Sequence, residues 1–245
     1  PSPDETDETR PRGLRAAMYG LSYIAARHGL LAMLIYFALV NFFANTASIL
    51  LPPMILSFSD PAGLGLVQTV GGVGMLAGSI VMSIWGGPKR RMTAVYVALL
   101  VSGTGLIVAS LHASTLVVAA GLFTTLALIP IAGGSATAIW QTKVDPAVQG
   151  RVFAARGMIA TAMMPLAFGM SGPLADRVFQ PMMHGPGGAP ELFSLIVGNG
   201  PGRGYAVILL LGGMLLLVAT VLFAAYGPLR RVEEELPDFA PPADA

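Results

Sequence analysis

Gly86-Gly87-Pro88-Lys89-Arg90-Arg91 is a basic turn joining two uncharged stretches, residues 64–87 and 92–111. A bilayer core about 30 Å thick needs about 20 apolar residues of helix, and each stretch meets that length. The same pattern occupies 30–51, 114–139, 152–173 and 205–227. Numbered from the N-terminus, the first, third, fifth and seventh flanks or gaps hold the positive charge. They carry Arg10, Arg12, Arg15, Arg27, Lys89, Arg90, Arg91, Lys143, Arg151, Arg156 (just inside its span), Arg230 and Arg231. The alternate gaps hold only Arg177 and Arg203, so one side takes twelve of the 14 basic residues. Cytoplasmic loops are enriched in Lys and Arg. The reading is an all-α, six-span protein of the cell (inner) membrane with both termini cytoplasmic.

Composition agrees. The chain is 54% hydrophobic and 11% charged, with a mean hydropathy of +0.71; a soluble domain carries about 25% charged residues. Unbroken apolarity also differs from the amphipathic stripe of a soluble helix. The net charge of +1 is spread over loops, and no basic patch for nucleic acid forms. Without cysteine, disulfides and thiolate chemistry are excluded. The opening Pro1-Ser2-Pro3-Asp4-Glu5 resembles an internal linker, which predicts a piece of a longer protein.

Four regions follow from this. Residues 1–12 read as a disordered linker. Residues 13–29 place Leu14, Met18, Leu21 and Ala25 at helical spacing, as in an amphipathic helix on the cytoplasmic face; a ragged start to the first span is the other reading. Residues 30–227 form the six-span domain and 228–245 a cytoplasmic tail, with a short surface helix at Arg230–Leu236. Pro52-Pro53 reads as the end of the first span, 140–152 as the loop between the fourth and fifth, and 174–204 as the longest outer loop.

Polar residues inside the spans are few. Asn41, Asn45 and Ser48 recur at i, i+4, i+7 and so share one helical face. Amides in hydrocarbon need partners, so this face either lines a substrate path or bonds to a neighbouring helix. Gln68 in the second span and Thr125 in the fourth complete the candidate cavity set, chosen on polarity alone. Gly74-x-x-x-Gly78 is the small-residue pattern of close helix packing. Pro130 and Pro165 bend their spans.

Catalytic and cofactor motifs are missing. Lys89 and Lys143 sit in no phosphate-binding loop, and His28, His112 and His184 have no metal-ligand spacing. The sequence predicts no enzyme, no metal and no cofactor. No Asp or Glu lies inside a span. A proton relay normally uses such a group, so a proton-driven cycle would need its carboxylate elsewhere in the parent chain.

The Asn-bearing first span ending in Pro-Pro, the Gly-rich second span and the Gly86–Arg91 turn resemble the C-terminal half of major facilitator superfamily transporters. Gln141-Thr142-Lys143-Val144, Gly150-Arg151-Val152, Gly172–Phe179, Gly200–Gly204 and Glu235–Asp238 are similar to loops of the macrolide-efflux and enterobactin-exporter group. The resemblance runs over about 13–238. It implies a major facilitator half-bundle, whose partner is an N-terminal six-helix half of the same transporter. It also implies an inner gate at Gly86, Lys89, Arg90, Arg91, Asp145, Arg151 and Arg156.

The expected function is a secondary active exporter of small amphipathic molecules such as antibiotics, siderophores or peptide-like compounds. The competing reading is a non-transporting membrane anchor or assembly module. Six further spans upstream favour the exporter; a soluble domain joined at Pro1 favours the anchor.

Overall fold

The computed structural model describes residues 14–184 and 188–239, with backbone alone at 14–17, 184, 188–190 and 192. The expected linker 1–12 lies outside them. Among the described residues the fold is all-α, without a strand. A short α1 (Leu14–Ala25) precedes α2 (His28–Leu56), α3 (Pro61–Trp85), α4 (Arg91–Leu111) and α5 (Thr115–Lys143). Then come α6 (Pro146–Leu174), a π-helical stretch (Ala175–Phe179), α7 (Gln180–His184) and α8 (Gly188–Val197). The bundle closes with α9 (Arg203–Ala225), and two single turns follow, α10 (Gly227–Arg230) and α11 (Val232–Glu235). Six of these helices are long and apolar enough to cross a membrane: α2 to α5, α9, and α6 continued to Met183.

Local chemistry sets the helix ends. Asp60-Pro61 and Asp145-Pro146 start α3 and α6 alike: each Asp side chain accepts a backbone N–H, from Gly63 and Ala147 respectively, both at 2.8 Å. Proline follows where no N–H is required. Gly86 stops α3 in the left-handed region at φ 70°, and Gly87 follows at φ 85°, a conformation other residues rarely adopt.

The principal packings are α2 on α6 and α9, α5 on α3 and α4, and α4 on α9. Exchanging α2, α3, α4 for α5, α6, α9 in that order turns the first pair of contacts into the second and leaves α4 on α9 unchanged. The pattern of packing therefore repeats between the first three long helices and the last three. Glycine lets the helices close up. A Cβ at Gly78 would collide with the Ala127 carbonyl of α5, and one at Gly74 would lie 2.6 Å from the Phe123 carbonyl. The Gly74/Gly78 pair is thus a packing seam inside the chain.

Two apolar cores result. One, with Leu30, Met33, Tyr36, Val95 and Trp140, fills the end that carries the basic turns and the C-terminal residues. The other, with Leu50, Met54, Leu106, Leu122 and Leu209, fills the opposite end. The outward surface stays apolar, as at Leu76 (65% exposed) and Ile84 (83%).

Several expected boundaries move. Helix α2 runs through Pro52-Pro53 to Leu56. The two missing N–H groups fall near its end, and the last turn is bonded by Ser57 N–H to Pro53 O (3.1 Å) and Ser59 N–H to Ile55 O (2.9 Å). The expected loop 140–152 shrinks to Val144-Asp145, because the Asp145 cap and Pro146 restart a helix at once. Region 174–204 is largely helical outside 185–187. The expected surface helix at Arg230–Leu236 is broken at Arg231, with Leu229 and Val232 buried. In α1, Gly20 and Ile24 are buried while Met18 faces outward.

Candidate functional site

A cavity of about 170 Å³ lies between the two cores, walled by α2, α3, α4, α5 and α9. Its lining is mostly aliphatic, with Ser48, Gln68, Ser102 and Thr125 as the polar groups. Two of these are already engaged. Thr125 Oγ1 donates to the Ser102 and Gly121 carbonyls (3.1 and 2.9 Å), and Ser102 Oγ donates back to the Thr125 carbonyl (3.1 Å). The two bonds between Ser102 and Thr125 fasten α4 to α5, and the one to Gly121 stays within α5. Ser48 and Gln68 make no hydrogen bond within the described residues, so they are the lining groups open to a ligand.

The asparagines of α2 lie apart from this cavity's lining. Asn45 Nδ2 donates to the Asn41 carbonyl (2.8 Å) and Asn41 Nδ2 to the Phe37 carbonyl (2.7 Å), each closing on its own helix. Asn41 lines a second pocket, also about 170 Å³, between α2 and α6, and shares it with Arg156. The face of Asn41, Asn45 and Ser48 therefore meets different surroundings along its length.

At the basic end the seven expected gate residues divide into two clusters. In the first, Gly86, Lys89 and Arg91 share a pocket with Thr142, Lys143, Glu233 and Asp238, and Lys89 and Arg90 share another with Arg230, Arg231, Glu233 and Glu234. Glu233 accepts the backbone N–H groups of Arg91 and Met92, one on each carboxylate oxygen, both at 3.0 Å. These are unsatisfied donors of the first turn of α4, where a negative charge is favoured. Lys143 is buried. Its ammonium donates to the Glu233 and Leu236 carbonyls and pairs with Asp238 at 2.7 Å. Phe239 N–H bonds the Thr142 carbonyl (2.9 Å), and Arg91 Nη1 the Ala138 carbonyl (3.1 Å). The tail thus binds the ends of α4 and α5 together.

In the second cluster Asp145 caps α6, and its backbone N–H reaches the Tyr23 hydroxyl at 3.4 Å. Arg151 lies over the Tyr19 ring (4.9 Å), and Arg156 faces Phe37, Trp140 and Phe153 (5.8–5.9 Å). Asp145 forms no ion pair with Arg151 or Arg156 among the described residues.

Sequence reasoning missed Glu233 as a functional partner. A run of three glutamates beside Arg230-Arg231 reads as solvated, and its target lies 142 residues away. The only local signal was the turn before Arg91, which offers no acidic or hydroxyl cap for α4.

Macrolide efflux protein A of Streptococcus pyogenes is 24% identical to this chain over 184 residues, covering 71% of the chain and 44% of that protein. Macrolide efflux protein A of Enterococcus faecalis is 24% identical over 172 residues, covering 66% and 52%. No protein-family model matches the chain. No solved structure matches it either. The chain spans about half the length of the curated relatives it matches.

Proposed function

We propose that the chain is the C-terminal half of a secondary active exporter of small amphipathic molecules, macrolide-like antibiotics among them, lying in the cell membrane with both ends cytoplasmic. The observation that carries this is the joint one: six membrane-length helices whose packings repeat three by three, matched to efflux proteins of which the chain covers 44% and 52%. Drug-sized ligands occupy about 300–1,000 Å³, whereas the central cavity holds about 170 Å³. One half of a transporter supplies only some of the walls of a substrate site, with Ser48 and Gln68 as its free polar groups. The two basic-end clusters act as the inner gate, the tail-bound one as a fixed abutment and the α6 one as the moving contact.

The test is macrolide accumulation in cells expressing the full-length parent, with and without an uncoupler. Expression lowers accumulation and the uncoupler restores it. Arg151→Gln and Asp145→Asn insert normally and reduce export by at least about fivefold, the lower end of coupling between sites. Equal accumulation with and without the parent sinks the exporter. Unchanged efflux in both variants sinks the gate.

A further inference from the structure

The pocket between α2 and α6 holds Arg156, the charged residue inside the apolar stretch 152–173. Arg156 lies four residues beyond Val152, where that stretch begins, about 6 Å of helix at 1.5 Å per residue. A cation at that depth is costly and normally finds a partner. Arg156 has no carboxylate within ion-pair distance and makes no hydrogen bond among the described residues. It is held by ring faces from three helices: Phe37 of α2, Trp140 of α5 and Phe153 of α6, with Cζ 5.8–5.9 Å from each centroid. Ring faces attract the cation without accepting its N–H groups in line. Five guanidinium donors therefore remain unused among the described residues. Asn41 lines the same pocket. Its single bond to Phe37 O (2.7 Å) fixes the amide and leaves a second N–H free.

We infer that Arg156 and Asn41 form a subsite for an anionic oxygen group, a carboxylate or a phosphate, carried by an amphipathic ligand. The guanidinium fork suits two oxygens of such a group, the Asn41 N–H adds a third donor, and the aromatic rings accept the adjoining apolar part. The inference rests on the exporter reading for its ligand class. Two sources share this chemistry: a transported molecule, and the headgroup of an anionic phospholipid reaching in between helices.

Equilibrium binding tests it without requiring transport. Full-length protein in phosphatidylcholine nanodiscs is titrated with the fluorescent fatty acid 11-(dansylamino)undecanoic acid and with its neutral methyl amide. The acid binds at least about tenfold more tightly, the scale of one charge-assisted hydrogen bond. Arg156→Gln abolishes that preference, Arg156→Lys keeps part of it, and Asn41→Leu weakens it by about threefold, the smaller effect of a neutral donor. Retention by the lysine variant separates loss of charge from loss of fold. Repeating the titration with phosphatidylglycerol in the disc identifies the source. Suppression of the wild-type preference, with the acid's affinity for Arg156→Gln unchanged by the same lipid, assigns the subsite to lipid phosphate, and no suppression assigns it to the free ligand. Equal affinity for acid and amide in wild type, as expected of an arginine that only snorkels, overturns the inference, as does an unchanged preference in Arg156→Gln. An export assay that fails while the acid preference persists overturns the exporter and leaves the subsite standing.

Discussion

The two clusters at the basic end are fastened by different chemistry. Beneath α4 and α5, cations and helix-end donors meet a carboxylate and carbonyls: Glu233 on Arg91 and Met92, and three tail acceptors on Lys143. At the foot of α6, Arg151 and Arg156 meet the faces of Tyr19, Phe37, Trp140 and Phe153. A cation answered by oxygen has its geometry and its charge settled together. A cation resting on rings is positioned while its N–H groups stay free. The first arrangement serves to hold helices; the second keeps bonding capacity for something that arrives. The same distinction separates Thr125, whose hydroxyl is committed to the Ser102 and Gly121 carbonyls, from the open Ser48 and Gln68.

The largest effect expected from breaking the contrast is on Lys143. Truncation after Arg231 removes every acceptor of a buried ammonium. Asp238 is 72% exposed, so the loss is that of a half-exposed ion pair and two carbonyl hydrogen bonds, about 1–3 kcal/mol. The thermal midpoint of the detergent-solubilised protein falls accordingly. Lys143→Met in the truncated background recovers much of that loss, since an apolar side chain of similar length needs no acceptor. A truncated protein with the wild-type midpoint would show that the tail does not hold the bundle.

What the sequence could disclose follows the same divide. The bilayer imposes apolar composition along whole helices, so the six spans are legible in any window of about 20 residues. Caps are nearly as plain, because Asp60 and Asp145 act within three residues of themselves. The tail contact is not legible. It joins Glu233 to Arg91 across 142 positions, and nothing near either residue encodes the approach. Pro52-Pro53 misled for a related reason. The prolines cost only the two bonds to the Ser48 and Ile49 carbonyls, and the helix runs on for another turn because the N–H groups of Ser57 and Ser59 still close onto Pro53 and Ile55. Among the polar residues of the spans, identity alone could not tell Gln68 from Thr125, since spent and free hydrogen-bonding groups look alike in a sequence.

A smaller effect is expected at the first turn of α4. Glu233→Gln keeps an oxygen for one of the two N–H groups and removes the charge that suits a helix N-terminus. Losing a cap costs about 0.5–2 kcal/mol, and the lost charge about 0.3–1 kcal/mol. Hydrogen exchange at the Arg91 and Met92 amides reads it directly. Faster exchange confined to that turn fits a cap; unchanged exchange would mean that the carboxylate only neutralises Lys89 and Arg90 nearby.

The smallest effect belongs to the ring-held side and sharpens the comparison most. Tyr19→Ala removes the face beneath Arg151, and an exposed cation–π contact contributes about 0.5–1 kcal/mol. Hydrogen exchange in α1 should rise only severalfold, because Gly20 still lies against the Arg151 carbonyl and Ile24 stays buried. Salt separates the two fastenings further. At 1 M ionic strength the screening length is about 3 Å, which weakens a carboxylate at a helix end more than a cation packed flat on a ring. If high salt loosens α1 as much as Tyr19→Ala does, its attachment is ionic after all. Arg151 would then belong with the tail-bound cluster, and Arg156 alone would remain as the cation held open.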